Sequence, residues 1–152
     1  MRILLAIDGS ERSEAAVDEV HRQYAPADSE VRVISVVESA YFPGTFPGEG
    51  INMNQYEEIE NTARERARAA VEKAAAKLRT KEGHHQLNVT TEVMSGSPKQ
   101  RILEEAEAFG ADLIVVGSHG HGMLDRFLLG SVSQAVALHA RCSVEIVRSA
   151  KT

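Results

Sequence analysis

A chain of 152 residues, 43% hydrophobic and 26% charged, has material for one ordinary domain with a real core, here taken as 1–152; extended disorder and a second domain are not expected. Its formal net charge is −5 and its Lys and Arg are dispersed, which argues against the basic surface of a nucleic-acid binder. One cysteine, Cys142, rules out an internal disulfide and a Cys-based zinc site, and the opening run Met1–Ile7 is too short for a signal peptide or a membrane span, so a cytoplasmic protein is expected.

Ile3 to Ile7 is an almost continuous apolar run, as in a strand buried on both faces. The turn Asp8-Gly9-Ser10 leads into a helix with Ala16, Val17, Val20 and Tyr24 on one face, closed by Pro26 and Asp28. Val31, Val33, Ile34, Val36 and Val37 form a second buried strand. Residues 39–54 have no period and many breakers; they read as a flexible loop, either functional or a disordered insertion. In the long helix that follows, Tyr56, Ile59, Ala63, Ala67, Ala70, Ala74 and Leu78 share one face, and mixed charges cover the rest.

Gly83-His84-His85 reads as a solvated connection. Leu87, Val89, Thr91 and Val93 then alternate, as in a strand exposed on one side. Ser97 is expected as a helix N-cap, Pro98 as the first helical residue and Gln100 as the partner in a capping box; Ile102, Ala106 and Phe109 give the apolar face and Gly110 the stop. Leu113 to Val116 is another apolar strand, followed by a loop from Gly117 to Gly130. Within it Met123, Leu124, Phe127, Leu128 and Leu129 are apolar anchors or a partner surface. A last helix carries Val132, Ala135 and Val136, with His139 at the spacing of a packed or half-buried side chain. Val144, Ile146 and Val147 make the final strand, and Cys142 reads as a small buried residue without thiolate chemistry.

Alternating strands and helices predict an α/β fold, a doubly wound five-stranded parallel sheet with helices on both faces. Putting the fully apolar strands in the middle and the alternating ones at the edges gives the order 3-2-1-4-5 with right-handed crossovers. The topological switch then lies between the first and fourth strands, and ligands of such sheets bind at the carboxyl ends beside it. The loops beginning at Asp8 and Gly117 fall there.

The second of these loops carries Gly117-Ser118-His119-Gly120, nine residues, and Gly130-Ser131. Glycines permit close backbone approach and positive φ, and Gly130-Ser131 stands where the last helix begins, so bare amides at Gly120, Gly130 and Ser131 are expected to face anionic oxygens. Ser131 and Ser133 can add hydroxyl donors. No Gly-Lys-Ser/Thr follows, so this is not a Walker loop, nor is it a compact Gly-x-Gly-x-x-Gly fingerprint. Asp8 is either a turn former or a ligand-facing carboxylate, and its place at the end of a switch-point strand favours the second. His119 and His121 are an incomplete metal set, better read as phosphate contacts or solvent-facing positions. Arg126 can reach phosphate or pair at the surface.

At these residues the chain resembles the universal stress protein family, whose nucleotide-binding members carry Gly, two residues, Gly, nine residues, then Gly and Ser or Thr. Gly117, Gly120, Gly130 and Ser131 match without a gap, as do the strings Val115 to Gly120 and Leu129 to Val132, the first strand ending in Asp8 with Ser10 after it, and Ser35-Val36-Val37-Glu38. The resemblance implies an adenine nucleotide alpha hydrolase-like fold and an ATP site. Ala6, Ile7 and Asp8 would lie beside adenine and ribose, Val36 against the base, and Val116 and Gly117 along base and ribose. Gly120, Gly130, Ser131, Val132 and Ser133 would hold the phosphates, with His119 beside them and Mg²⁺ accompanying the triphosphate. It also implies a homodimer through the last strand, residues 143–148. The family often has a proline before that strand, where this chain has Arg141-Cys142-Ser143. Two classes of function remain open: a non-enzymatic, ATP-dependent stress regulator acting on an unidentified protein partner, or a slow ATP-hydrolysing or adenylating enzyme, with Asp8, His119 and Arg126 as its candidates.

Overall fold

A computed structural model of the chain describes residues 1–23, 29–38, 53–80, 87–119 and 129–148. The elements run β1 (Arg2–Ala6), α1 (Glu11–Gln23), β2 (Glu30–Val37), α2 (Met53–Arg79), β3 (Asn88–Ser95), α3 (Pro98–Phe109), β4 (Leu113–Gly117), α4 (Ser131–His139) and β5 (Ser143–Val147). The five strands form one parallel sheet in the order β3-β2-β1-β4-β5. This is the expected order, with the apolar strands central.

The continuous apolar runs are explained by two cores. In β1, Ile3 and Leu5 face one core with Val17, Val20, Val71 and Leu78 of α1 and α2. Leu4 and Ala6 face the other, with Ile102 and Ala106 of α3 and Val136 of α4. β4 splits the same way, Leu113 and Val115 against Ile114 and Val116. A strand of alternating orientation that meets helices on both sides cannot afford a polar position on either. The edge strands are less covered: β5 has no fully buried residue, and β3 alternates over its first half.

Three local readings need correction. Ile59 was expected on the packed face of α2, but it is 54% exposed, and burial begins at Ala67. A helix of 27 residues is about 40 Å long, whereas an eight-residue strand spans about 26 Å, so only the C-terminal part of α2 lies over the sheet. It also begins at Met53, inside the expected 39–54 loop; the rest of that loop lies outside the described residues. Ser97 occupies the N-cap of α3 and Pro98 follows as expected, yet Ser97 makes no side-chain cap bond and Gln100 donates to Glu104 instead, at 2.8 Å, so no capping box forms. His139 is exposed rather than packed. The buried side of α4 runs through Ser133 and Val136, and His139 sits in the last turn beyond it.

Other expectations hold. Gly110 ends α3 in the left-handed region at φ 66°, where a non-glycine residue would be strained. Cys142, read as buried, is only half-buried beside the α3/α4 core, and that burial still raises its thiol above the ordinary value, against thiolate chemistry. On the same side, Arg32 of β2 pairs with the buried Glu105 of α3 and lies 4.3 Å above the Phe109 ring centroid. Among the described residues no helix is long and apolar enough to cross a membrane.

Ile114 is fully buried in the centre of the sheet, and its truncation leaves a hole that neighbouring strands cannot close. Ile114→Ala should lower the unfolding free energy by about 2–5 kcal/mol, and Ile59→Ala by less than about 0.5 kcal/mol, as read by urea denaturation with unchanged slopes.

Candidate nucleotide-binding cleft

The carboxyl ends of β1, β2 and β4 open into a cleft of about 490 Å³ on the side of the sheet covered by α3 and α4. Its lining includes Ala6, Ile7 and Asp8 from the first strand and turn, Val36 from β2, and Val116, Gly117 and His119 from β4 and the residues after it. Gly130, Ser131, Val132 and Ser133 come from the start of α4. Eleven of the twelve expected site residues are thereby brought together; Gly120 lies outside the described residues, as do His121 and Arg126. The floor is apolar because Ala6 and Val116 are register partners facing the same core.

The start of α4 is held to the end of β4 by one carbonyl. Ser118 O accepts the Gly130 N–H at 2.8 Å and the buried Ser133 hydroxyl at 2.9 Å. The Ser118 N–H in turn donates to Val147 O of β5 at 2.8 Å. This changes the roles expected of two residues. The Gly130 amide is engaged within the chain and is not free for an anion. The Ser133 hydroxyl points inward, bridging Ser118 O and Gly130 O, and is not a ligand donor. The backbone N–H groups of Ser131, Val132 and Ser133 have no partner among the described residues, because the first intrahelical bond is from Gln134 N to Gly130 O, at 2.9 Å. The Ser131 hydroxyl is exposed at the same spot.

The glycines act through space rather than through φ. Gly130 has φ −61°, and a Cβ there would lie 3.1 Å from His119 Cα and 3.2 Å from Ser118 O. A Cβ on Gly117 would lie 2.9 Å from the Arg12 carbonyl oxygen of α1, so this glycine lets β4 pass under that helix. Positive φ occurs elsewhere beside the site, at Gly9.

The helix ends around the cleft are treated unequally. At α1, Ser10 Oγ accepts the Ser13 N–H at 3.3 Å and donates to Asp8 Oδ1 at 2.6 Å; Asp8 Oδ1 also accepts the Ser10 N–H at 3.0 Å. Glu11 and Glu14 occupy its first turn. That end is capped and its positive pole answered. Asp8 is thus both the turn former and a cleft-lining carboxylate. At α4 there is neither a side-chain cap nor an acidic residue in the first turn. The α3 end is likewise uncapped, and it brings Ser97, Pro98, Lys99 and Ile102 to the cleft wall. These four, with Ser13 and Glu38, were not identified from the sequence; the helix-start signal at Ser97-Pro98 marked the position but not the direction it faces. Among the described residues no three His, Cys, Asp or Glu side chains cluster as a metal site.

Residues 1–148 match the model of the universal stress protein family. A universal stress protein of Methanocaldococcus jannaschii is 35% identical over 150 residues, covering 99% of this chain and 83% of that protein. Universal stress protein A homolog 1 of Coxiella burnetii is 37% identical over 148 residues, covering 93% and 92%. Among solved structures, the universal stress protein UspA of Lactobacillus plantarum superposes with a TM-score of 0.79 at 25% identity, covering 97% of each chain.

Gly117→Ala should destabilise the fold by about 1–3 kcal/mol, since the new methyl group meets helix backbone rather than a movable side chain. Ser133→Ala should cost about 1 kcal/mol through its lost bridge, and Ser131→Ala almost nothing; thermal unfolding of the three variants in the absence of ligand tests this ranking.

Proposed function

The chain belongs to the universal stress protein family, and from that premise we propose that it binds an adenine nucleotide, ATP with Mg²⁺, and acts as a non-enzymatic regulator. The observation that carries this reading is the open end of α4. Three amides without a partner among the described residues, and the Ser131 hydroxyl, border a cleft of nucleotide size, with no carboxylate in the helix's first turn to compete. Ala6, Val36 and Val116 supply an apolar floor for a base, and Asp8, which lines the same cleft, is a carboxylate that can accept from sugar hydroxyls. Three solved proteins of this fold, 17–21% identical to the chain, are described in complex with cAMP, AMP and dAMP. They share the fold, and their ligands are of the class the cleft suits.

Mg²⁺ keeps most of its water and takes phosphate oxygens with one or two carboxylates, so no protein cage is required. Asp8 and Glu38 are the carboxylates that line the cleft. Gly120, on the matching glycine spacing, is assigned to the phosphate site with Ser131. The exposed edge of β5 is assigned to a homodimer contact through 143–148, and a nucleotide-ordered loop would present a surface to a protein partner in the cytoplasm.

ATP with Mg²⁺ at one hundred times its Kd should raise the unfolding free energy by about 2.7 kcal/mol. The double variant Gly120→Val, Gly130→Val should lose at least about tenfold in affinity; retained affinity would place the nucleotide elsewhere. Prolonged incubation should yield no more ADP than the double variant does, and excess product would favour the slow ATP-hydrolysing or adenylating enzyme. Sedimentation should report twice the chain's mass, falling to one when β5 is blocked by Ile146→Pro.

A further inference from the structure

We propose that Lys99 ranks adenine nucleotides by phosphate charge, its ammonium making the cleft hold ATP more tightly than AMP. This rests on the nucleotide reading above and adds a specificity residue from α3, an element to which the glycine spacing gives no clue. Among the described residues Lys99 is the only lysine or arginine that lines the cleft.

Lys99 is the second residue of α3 and is exposed, so its side chain is open to a ligand in the cleft. Ile102, one turn on, lines the cleft as well, so one face of α3 is turned to it. Ile102 packs in the same core as Val132 from the first turn of α4, and the two helices are in contact. Each follows a strand of one parallel sheet, so both begin at its carboxyl end. Packed helices lie roughly 8–10 Å apart axis to axis. Lys99 therefore stands on the wall next to the amides of Ser131, Val132 and Ser133, and its flexible four-carbon stem carries the charge into the space between.

The sign of this charge is wrong for the helix that carries it. A cation in the first turn opposes the helix dipole, whereas α1 answers its own with Glu11 and Glu14. Neither α3 nor α4 has an acidic residue in its first turn. The carboxylates that line the cleft come from elsewhere: Asp8 is bonded to Ser10, and Glu38 follows β2. Lys99 forms no ion pair with any described residue. Two positive helix ends and an ammonium thus meet at one cleft, an arrangement that disfavours the empty protein. A local rule broken at a cleft marks a functional position, and only negative charge repairs this one. Attraction to Lys99 grows with each phosphate added, while a base or a sugar brings it no net charge.

The test measures binding of adenosine, AMP and ATP, without Mg²⁺, to the parent and three variants. Lys99→Met keeps the stem and loses the charge, Lys99→Arg keeps the charge, and Lys99→Glu reverses it. Lys99→Met should lose about tenfold in ATP affinity and about threefold in AMP affinity, Lys99→Glu more of each, and Lys99→Arg should stay within about threefold of the parent. Adenosine should bind all four proteins alike. ATP affinity should fall less steeply with added KCl in Lys99→Met than in the parent. Without ligand, Lys99→Glu should melt at or above the parent's temperature, since it answers the dipole that Lys99 opposes. Undiminished ATP affinity in Lys99→Met, equal losses for adenosine and ATP, an unchanged salt dependence, or a lowered melting temperature of Lys99→Glu would each overturn the assignment. A parent that binds nucleotides while the series stays flat would sink the role of Lys99 alone; a parent that binds no adenine nucleotide would sink the nucleotide reading and this role with it.

Discussion

The carbonyl oxygen of Ser118 is where the site is fastened. It takes a hydrogen bond from Gly130 N and another from Ser133 Oγ, while the N–H of the same residue reaches Val147 of the neighbouring strand. The chain leaves β4 at Gly117 and α4 begins at Ser131, fourteen residues on. Tying the Gly130 amide and the Ser133 hydroxyl to one carbonyl sets the start of α4 against the end of the strand it follows. Two hydrogen bonds on one carbonyl use both of its lone pairs, so the clamp is complete without water. It also accounts for glycine at 130, because a side chain there would press on the clamp itself.

From this fastening follows the distribution of charge. A helix N-terminus is a donor array with a partial positive pole, and a protein can neutralise it or leave it open. The chain does the first at α1, with Ser10, Asp8, Glu11 and Glu14, and the second at α4. Both ends lie at the same edge of the sheet, and α4 lacks the side-chain cap and first-turn carboxylates that α1 has. The acidic net charge is no obstacle, since the field at the cleft is set by the nearest dipoles. Ser118 joins this arrangement to the β5 edge as well, so the backbone that borders the ligand site also pairs with the strand assigned to the dimer contact.

Much of the architecture was readable because burial on two faces and burial on one leave different patterns. Leu4 and Leu5 are adjacent and both apolar since they face different cores, and this marks β1 as central; Val89 beside Thr90 marks β3 as an edge. Where a pattern fails to predict burial, length is the reason. Ile59 has the periodicity of a core residue on a helix that outruns its sheet. At the α3 start, Ser97 and Gln100 have the residue types of a capping box, but Gln100 has Glu104 one turn away and bonds to it. Local sequence offers such side chains several partners, and packing chooses among them.

By itself, the sequence determined the element order, the strand order and the glycines that border the cleft, because each depends on short-range periodicity or on backbone that tolerates no side chain. Only the tertiary structure decided which donors in that region are free. Gly130 N and Ser133 Oγ turn inward, the amides of Ser131 to Ser133 keep no partner among the described residues, and Lys99 arrives from a helix that begins 33 residues before Ser131. The physical reason is that a hydrogen-bonding group has no fixed partner in one dimension. Its availability to a ligand is what remains after the rest of the fold has bonded what it can reach.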